Sequence, residues 1–358
     1  MRIAIDVSPL SHPRTGIGNY LSTLVGAMAA ADPKPDIVTF APTRPRGRRY
    51  ILDGLNGLDV ERRLLRVPCS HRVRQGWSRL GWPPAERVLG NFDVMHFSDW
   101  MYPPQRQGLR ATTIYDLVPL HFPAWTTART REMHSRKYEA AREQCGMVVA
   151  ISDYTAADIE ETLHIESDRL VVAYPAVHPR YSPASPPSSL ETPYILAVST
   201  LEPRKGLREL LRAYALLRSR NTAAQLVIAG AAGWGERVEF EQEGVHRIGY
   251  VSDDELASLY RSASVMVYPS SFEGFGLPVV EAMASGTPVV TSEHPSIDEA
   301  SGDAAYRCDP GDPEALAETI DLALAAGSDR VQAGLQHAAR FTPEACARAV
   351  LAGYRARV

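Results

Sequence analysis

The sequence predicts an α/β protein with two domains, each built on a parallel sheet with crossover helices. The chain has 358 residues, which suits two domains of average size better than one. Short apolar runs alternate with helical patterns in the first half of the chain, and the same alternation begins again in the second half. Hydrophobic residues make up 45% of the chain and charged residues 22%, so a sizeable core can form.

The first domain is predicted over residues 1–177. A helix over about 19–30 follows the first strand. The segment 178–193 is dense in proline and serine and cannot pack as a regular element, so we place the domain boundary there. The predicted strands are the apolar runs at 3–7, 37–40, 94–97, 112–114, 147–151 and 171–174.

The second domain is predicted over residues 178–340. A helix over 206–218 places Leu207, Leu210 and Leu211 on one apolar stripe, as expected for a helix that packs on a sheet. Ser252 and Glu255 have the spacing of a capping box and predict the start of another helix. The predicted strands are the apolar runs at 194–198, 225–229, 246–248, 265–268 and 288–291.

The sequence predicts no signal peptide, membrane span, metal site or disulfide. The first residues lack the apolar length of a signal peptide, and no stretch approaches a membrane span, so we expect the chain in the cytoplasm. Asp253 and Asp254 are interpreted as charges at a helix start rather than as metal ligands, and no metal site is expected. The cysteines have no metal-ligand spacing, so we expect reduced thiols without disulfides: Cys69, Cys145, Cys308 and Cys346.

One segment is strongly basic although the net charge of the chain is −4. Residues 44–87 carry eleven arginines against four acidic residues. Val73, Trp77 and Leu80 recur at helical spacing among these arginines, a pattern that can lie on an anionic membrane surface. A solvated surface with a core-facing stripe is the alternative. Peripheral contact with the inner membrane face through this segment remains one of the two predictions.

The strongest motif runs over residues 270–290, from the end of a predicted strand through a glycine-containing turn into a helix. Pro278 suits the first turn of that helix, where a missing N–H is tolerated. Backbone amides around Gly276 and Leu277 then face outward at the positive end of the helix dipole, which favours an anion such as phosphate. Gly274 and Gly276 let a ligand approach the backbone closely.

Two glutamates flank the start of this helix. Glu273 precedes it and Glu281 lies inside it, so the pair could hold opposite ends of one ligand. Carboxylates accept hydrogen bonds from diols such as those of sugars. The alternatives are an ion pair with an arginine for Glu273 and a solvated helix position for Glu281.

The second motif is the segment 198–206, which also joins a predicted strand to a helix. Arg204 and Lys205 are adjacent, so in a first helical turn their directions differ by about 100° and the two cations can flank a diphosphate. A solvated basic turn is the alternative. A third segment, residues 9–20, is predicted as a loop in which Gly16 allows close approach, although Leu21 breaks the dinucleotide-binding glycine pattern.

These residues resemble family-four retaining glycosyltransferases, especially their bacterial mannosyltransferase-like branch. The spaced glutamates at 273 and 281 and the LEPRKG segment at 201–206 are the most specific matches, and TGIGNY and TIYDLVPLHFP add support. The resemblance implies the GT-B fold, in which two Rossmann-like domains with parallel sheets face each other across a deep cleft. It also implies that residues 341–358, with Ala345, Ala349 and Ala352 near one face, form a final helix that packs back on the first domain.

The resemblance implies a role for each matched residue. Arg204 and Lys205 would bind the donor diphosphate and steady it as the leaving group. Glu273 would hold hydroxyls of the transferred sugar, and Glu281 would bind the ribose. The base would lie near Tyr250 and Val251. Other donor contacts would come from Gly16, Ser199, Gly274, Phe275, Gly276 and Leu277.

The chain departs from the family pattern at two positions. Many relatives have an arginine where this chain has Ser199, which leaves more of the phosphate charge to Arg204 and Lys205. The branch usually has a histidine where this chain has Tyr115, followed here by Asp116, and both are candidate catalytic residues. Tyr115 can donate a hydrogen bond but cannot become a cation near neutral pH. His96 and His121 are either substitutes for that histidine or structural histidines.

The resemblance predicts a hexosyltransferase that moves a sugar, with mannose favoured, from a nucleotide-diphosphate donor to a hydroxyl with retention. The nucleotide sugar, with a GDP-sugar favoured, is a co-substrate, and no cofactor is expected. The acceptor would be a glycan, a lipid-linked molecule or a small molecule, and no nucleic-acid partner is expected. The alternatives are a catalytically silent sugar-nucleotide-binding scaffold and a nucleotide-sugar epimerase.

Overall fold

A computed structural model describes residues 1–13, 15–97, 102–231, 233, 240–325 and 327–358. The described chain forms two compact units. The first unit contains Met1–Ala176 together with Thr342–Val358, and the second contains Val177–Phe341. The second unit is therefore inserted in the chain of the first. Arg14, in the predicted loop 9–20, lies outside the described residues.

The first unit is built on a parallel sheet whose seven described strands have the order β3-β2-β1-β4-β5-β6-β7. The order reverses between β1 and β4, because the chain first moves outward through β2 and β3 and then returns to the other side of β1. The strands are β1 (Arg2–Asp6), β2 (Asp36–Thr43), β3 (Glu61–Arg66), β4 (Val94–Phe97), β5 (Leu109–Ile114), β6 (Met147–Ala150) and β7 (Leu170–Val172).

Helices connect these strands. One core cluster lies between β5, β6 and the helices α6 and α7, and another lies between β1, β2 and the segment around α3 and α4. The helices are α1 (Gly16–Ala29), α2 (Pro45–Gly54), α3 (Ser70–Leu80), α4 (Glu86–Leu89), α5 (Val118–His121), α6 (Ala128–Gln144) and α7 (Asp153–Leu163).

The second unit repeats this architecture with six described parallel strands in the order β10-β9-β8-β11-β12-β13. The order reverses between β8 and β11. The strands are β8 (Tyr194–Val198), β9 (Gln225–Ala229), β10 (Val245–Gly249), β11 (Val265–Tyr268), β12 (Val289–Ser292) and β13 (Tyr306–Cys308). The helices are α8 (Leu207–Ser219), α9 (Asp253–Ser262), α10 (Leu277–Ala284), α11 (Pro295–Ser301), α12 (Pro313–Leu324) and α13 (Ser328–Ala338).

The last helix, α14 (Pro343–Arg355), belongs to the first unit and packs against α1. Its buried face contains Cys346, Val350 and Tyr354. The alanines predicted for one face, Ala345, Ala349 and Ala352, are half-buried or exposed instead, because the larger side chains on the opposite positions supply the apolar contact area.

Two local predictions are corrected. Helix α1 begins at Gly16, so Gly16 and Gly18 lie in its first turn rather than in a loop, with Thr15 as the N-cap that accepts a hydrogen bond from the Gly18 amide. Arg204 and Lys205 lie in a 3₁₀ turn over Pro203–Lys205 that precedes α8, not in the helix. Gly206 follows with a positive φ and separates the turn from the helix.

The basic segment 44–87 contains α2, β3 and α3. The predicted stripe on α3 is divided, since Trp77 is 8% exposed while Val73 is 38% and Leu80 is 79% exposed. Trp77 Nε1 donates to the carbonyl of Pro83, which ties α3 to the following turn. Within the described residues, every helix is too short or too polar to cross a bilayer.

Candidate active site

Both strong motifs of the second unit lie at the switch point of its sheet. The loop after β8 carries Arg204 and Lys205, and the loop after β11 carries Glu273. Because β8 and β11 are neighbouring parallel strands, their carboxyl ends meet at the same edge of the sheet. Ligands of open α/β sheets bind at this position, outside the carboxyl ends of the strands where the strand order reverses.

The Glu273 carboxylate is the centre of the site and is only 7% exposed. Its Oε1 accepts hydrogen bonds from the Tyr268 hydroxyl at 2.8 Å, the Ser270 hydroxyl at 2.6 Å and the Lys205 ammonium. Its Oε2 accepts from Nη1 of Arg204 at 2.6 Å. Each carboxylate oxygen is thus held by a cation, which is the ion-pair alternative that the sequence left open for Glu273.

Arg204 is fixed from both sides. Its Nε donates to Glu202 at 2.9 Å, and its Nη1 also donates to the carbonyl of Phe272 at 2.8 Å. The two cations and the two carboxylates of Glu202 and Glu273 balance in charge, and all four side chains are at least 85% buried. An anionic ligand that reaches this cluster would therefore meet two cations, Arg204 and Lys205, that the protein has already oriented.

Burial and charge act in opposite directions on these groups. Burial alone would raise the pKa of Glu273, but Lys205 and Arg204 hold it well below its ordinary value, so the carboxylate is ionised. Burial lowers the pKa of Lys205, and the adjacent Glu273 carboxylate opposes that shift. The ion pairs keep the buried site charged at neutral pH.

The two motif loops are joined through their backbones. The Ser271 amide donates to the Arg204 carbonyl at 2.8 Å, and the Ser270 hydroxyl reaches the same carbonyl at 3.2 Å. Gly206 permits this approach, because a Cβ at that position would lie 2.1 Å from the Pro269 carbonyl oxygen. Its φ of +63° also favours glycine.

The turn before α10 is held by neighbouring elements. Ser292 at the end of β12 donates to the Ser270 carbonyl, and Ser296 of α11 donates to the Glu273 carbonyl at 2.6 Å. Gly276 caps α10 with φ +108°, and the helix has Pro278 in its first turn, as predicted. The Phe275 side chain is buried against Phe341.

Glu281 lies inside α10 and is 6% exposed, so it is not the solvated helix glutamate that the sequence allowed. The Tyr260 hydroxyl of α9 donates to its Oε2 at 3.2 Å. Burial raises the pKa of Glu281 to about 8 despite this hydrogen bond. At neutral pH and without a ligand, Glu273 is therefore ionised whereas Glu281 is mostly protonated and neutral.

The first unit brings Tyr115 next to the start of α1. The Tyr115 ring meets the Tyr20 ring edge-on with centroids 5.5 Å apart, and the Lys137 ammonium lies 5.4 Å from the Tyr115 centroid. Lys137 is 4% exposed and donates to the Thr113 carbonyl at 2.7 Å. A buried cation therefore lies beside the tyrosine that stands where the branch usually has a histidine.

The other candidates of the first unit have structural contacts. The Asp116 carboxylate accepts a hydrogen bond from the Val118 amide at 3.2 Å and helps to start α5. His96 is 1% exposed, bonded to Thr113 and Tyr354, and burial lowers its pKa to about 3. His121 pairs with Asp158 at 2.7 Å. His96 therefore fits the alternative of a structural histidine, because both of its ring nitrogens are bonded to buried side chains.

Two predicted donor residues lie at other strand ends of the second unit. Ser199 directly follows β8 and packs against Gly230, where a Cβ would lie 1.8 Å from the Ser199 carbonyl oxygen. Val251 follows β10 and precedes α9, whose predicted capping box between Ser252 and Glu255 is confirmed. The Ser199 hydroxyl has no hydrogen-bond partner among the described residues, so it is not bonded to the Glu273 cluster, and the apolar Val251 side chain has no atom that could form such a bond.

Sequence reasoning missed four residues of the site. Tyr268 and Ser270 hold Glu273, Glu202 holds Arg204, and Tyr260 holds Glu281. Glu202 and Ser270 lie within the motifs, so their positions were a signal for a polar role. Tyr260 lies outside both motifs, and only the packing of α9 on α10 brings it to Glu281.

Comparison with known proteins identifies the family. A family model described as "Glycosyltransferase Family 4" matches residues 14–181, and one described as "Glycosyl transferases group 1" matches residues 182–340. The chain belongs to glycosyltransferase family 4. This glycosyltransferase is 29% identical to the O-antigen chain mannosyltransferase B of Escherichia coli, over 99% of this chain and 100% of the relative. It is also 29% identical to the MMP alpha-(1->4)-mannosyltransferase of Mycolicibacterium hassiacum, over 67% and 64% of the two chains.

Solved structures agree on the GT-B fold. Sucrose-phosphate synthase from Thermosynechococcus elongatus superposes on this glycosyltransferase with a TM-score of 0.74 at 20% identity, over 99% of this chain and 98% of that one. The Anabaena protein HepE, solved in complex with UDP and glucose, gives a TM-score of 0.66 at 15% identity, over 99% and 100% of the two chains. At these identities the likeness establishes the fold alone.

Proposed function

We propose that this glycosyltransferase moves a sugar from a nucleotide-diphosphate donor to a hydroxyl group with retention of configuration. The observation that carries the proposal is the pair of buried cations Arg204 and Lys205 at the switch point of the second sheet. Oriented cations in a dry site stabilise a departing diphosphate more strongly than the same charges in water. The amino end of α10 next to Glu273 adds a partial positive charge.

The proposed reaction needs no protein nucleophile. The bond between the sugar C1 and the donor phosphate oxygen breaks, and the acceptor oxygen forms its bond to C1 on the same face. The acceptor proton passes to an oxygen of the departing diphosphate. Arg204 and Lys205 stabilise the charge that develops on that diphosphate, while Glu273 keeps both cations in place through its two oxygens.

We propose mannose as the transferred sugar and GDP as the leaving group. The mannosyltransferases among the relatives support the sugar, and the GDP assignment rests on the resemblance to their branch. Glu281 would accept hydrogen bonds from the ribose diol. Since the ionised carboxylate is the stronger acceptor, ribose binding would favour loss of the proton that burial retains on Glu281.

The acceptor proposal includes a peripheral membrane contact through residues 44–87. The exposed side chains of Leu80 and Trp82, at 79% and 62%, support it, because they lie among the arginines of this segment. Apolar side chains surrounded by cations bind anionic lipid surfaces. A lipid-linked acceptor would be met at such a surface, whereas a soluble glycan would need no contact of this kind.

A thermal-shift panel tests the donor site. The wild type is compared with Lys205→Ala and Glu281→Gln in the presence of GDP, UDP, ADP or TDP and their sugar conjugates. GDP should raise the melting temperature of the wild type most, and Lys205→Ala should lose the shift because a phosphate-binding cation is gone. Lys34→Ala is the matched control, since Lys34 lies in the first unit and pairs only with Asp59 among its described contacts.

Product analysis then separates transfer from the alternatives. Release of GDP from GDP-mannose should require the acceptor. NMR of the product should show the same anomeric configuration as the sugar has in the donor. A silent scaffold would show the thermal shift without release of GDP. Free sugar isomers would indicate an epimerase. If no nucleotide shifts the wild type, or if Lys205→Ala keeps the full shift, the proposed donor site is wrong.

A further inference from the structure

The first unit contains a groove of about 280 Å³ between α3 and α6 that none of the assigned roles uses. Three arginines line it: Arg79 from α3, and Arg129 and Arg136 from α6. Tyr102, in the segment after β4, forms another wall. Its ring centroid lies 6.3 Å from that of Phe97, the last residue of β4. Strand β4 is one of the two strands at the switch point of the first sheet, where α/β sheets bind ligands at the carboxyl edge.

The groove is positively charged. Among the described lining residues Glu132 is the one acidic side chain, and its Oε1 accepts from Nη2 of Arg136 at 2.5 Å across one helical turn. The described part of the lining therefore has three positive charges against one negative charge. Nη2 of Arg129 lies 2.6 Å from Nε2 of His71, and this contact links α6 to the start of α3.

Two neutral donors complete the lining. The Ser78 hydroxyl oxygen is buried and has no hydrogen-bond partner among the described residues. Burial raises the pKa of Tyr102, and the charges of Arg136 and Arg79 only oppose this rise, so the phenol remains a proton donor at neutral pH. Guanidinium forks with adjacent hydroxyls match the geometry of a phosphate group, whose oxygens accept several hydrogen bonds at once.

We infer that this groove binds a phosphate group carried by the acceptor, as a sugar phosphate or a diphosphate-linked sugar. The inference rests on the proposed function, which assigns the donor to the Arg204 and Lys205 site of the second unit. The acceptor phosphate is then assigned to the first unit. The volume suits a phosphate with part of one adjoining sugar, since pockets for whole small ligands begin at about 300 Å³. An uncharged acceptor would leave the excess positive charge of the described lining and the Ser78 hydroxyl without a counterpart.

Calorimetric titration of inorganic pyrophosphate into the full chain tests this inference. Saturating GDP is added so that the proposed donor site is occupied and only a second site responds. Arg136→Gln and Arg79→Gln should each weaken pyrophosphate binding roughly tenfold, as expected for loss of a charged hydrogen bond. Glu132→Gln should strengthen it roughly threefold, because it removes a negative charge from the lining and releases Arg136 from its ion pair.

The opposite signs distinguish binding from a structural role. A general loss of folding would weaken binding in all three variants, whereas the inference requires Glu132→Gln to gain affinity. Arg72→Gln is the matched control, since Arg72 is exposed on α3 but does not line the groove. Unchanged pyrophosphate binding in both arginine variants would overturn the groove assignment and leave the donor site intact. Groove-dependent binding without any response to GDP would instead contradict the proposed donor site.

Two further ligands separate the sources of the phosphate. Mannose 1-phosphate represents a soluble sugar phosphate, and farnesyl diphosphate represents a prenyl-linked carrier. Tighter binding of farnesyl diphosphate than of pyrophosphate, lost in Arg136→Gln, supports a lipid-linked acceptor. Tighter binding of mannose 1-phosphate, lost in the same variant, supports a soluble one. If the affinity of neither ligand depends on Arg136, the acceptor assignment is wrong.

Discussion

Two glutamates eight positions apart experience opposite environments. Glu273 meets two cations and is ionised, whereas Glu281 is buried in α10 with Tyr260 as its described hydrogen-bond donor. Burial raises the pKa of Glu281 to about 8. Spacing alone predicted that both residues matter, but it could not predict their charge states, because these depend on side chains from the loop after β8 and from α9.

The pKa of Glu281 predicts a pH dependence of stability. The unfolded carboxyl ionises near its ordinary value, while the folded one keeps its proton up to about pH 8. The folded state therefore binds more protons between these values, and stability falls as pH rises through this window. Glu281→Gln removes the effect, so the wild type should lose a few kcal/mol relative to this variant between about pH 5 and pH 8.

Urea unfolding at a series of pH values, followed by circular dichroism, measures this difference. Glu318→Gln is the control, because Glu318 is exposed on α12 of the same unit. Its profile should parallel that of the wild type. A constant difference between the wild type and Glu281→Gln across the window would mean that Glu281 is ionised when buried, and the assigned pKa would be wrong.

At the scale of elements, the site depends on contact between the loops after β8 and β11. Gly206 allows this contact for two reasons, its φ of +63° and the nearby Pro269 carbonyl. Gly206→Ala should therefore lower the free energy of unfolding by more than the ~1 kcal/mol of a left-handed alanine, and should abolish the thermal shift with GDP. Both effects follow because the added Cβ forces the Arg204 turn away from Ser271.

Gly81→Ala separates the cost of backbone strain from the cost of a clash between the two loops. Gly81 ends α3 with φ +65° and has open space around its Cβ position, so the alanine there meets backbone strain alone. Differential scanning calorimetry should give a clearly smaller loss for Gly81→Ala, with the GDP shift retained. Equal losses for the two variants would contradict the role of the loop contact.

Buried strands were predictable from the sequence, whereas edge strands were predictable only in part. The runs at 171–174 and 246–248 identified the edge strands β7 and β10, but two other edge strands were missed. The strands β4, β8, β9 and β11 have the predicted bounds, since each is a short continuous run of mostly buried apolar residues. The missed strand β3 is ERRLLR at the sheet edge, with charged side chains in solvent. The missed strand β13 has three residues and lies at the other sheet's edge. An edge strand needs no apolar run, so periodicity could not identify either one.

For the whole molecule, the chain order has a consequence for stability. The first unit is completed only by the last helix, α14, after the whole second unit has been made. Tyr354 of α14 is fully buried and bonds His96 of β4, and Leu351 is 2% exposed. A destabilising substitution in α14 should therefore lower the stability of first-unit residues more than 170 positions earlier in the chain. The stability of the intervening second unit should not change.

Leu351→Ala tests this dependence. Loss of the buried side chain should destabilise the first unit by about 2–5 kcal/mol, because the cavity remains next to a packed sheet. Hydrogen exchange followed by mass spectrometry should show lost protection in peptides from Met1–Ala176 and ordinary protection in Val177–Phe341. Arg348→Ala, at an exposed position of the same helix, should change neither. Equal loss of protection in both units would show that they unfold as one cooperative body, and the separate dependence of the first unit on α14 would be rejected.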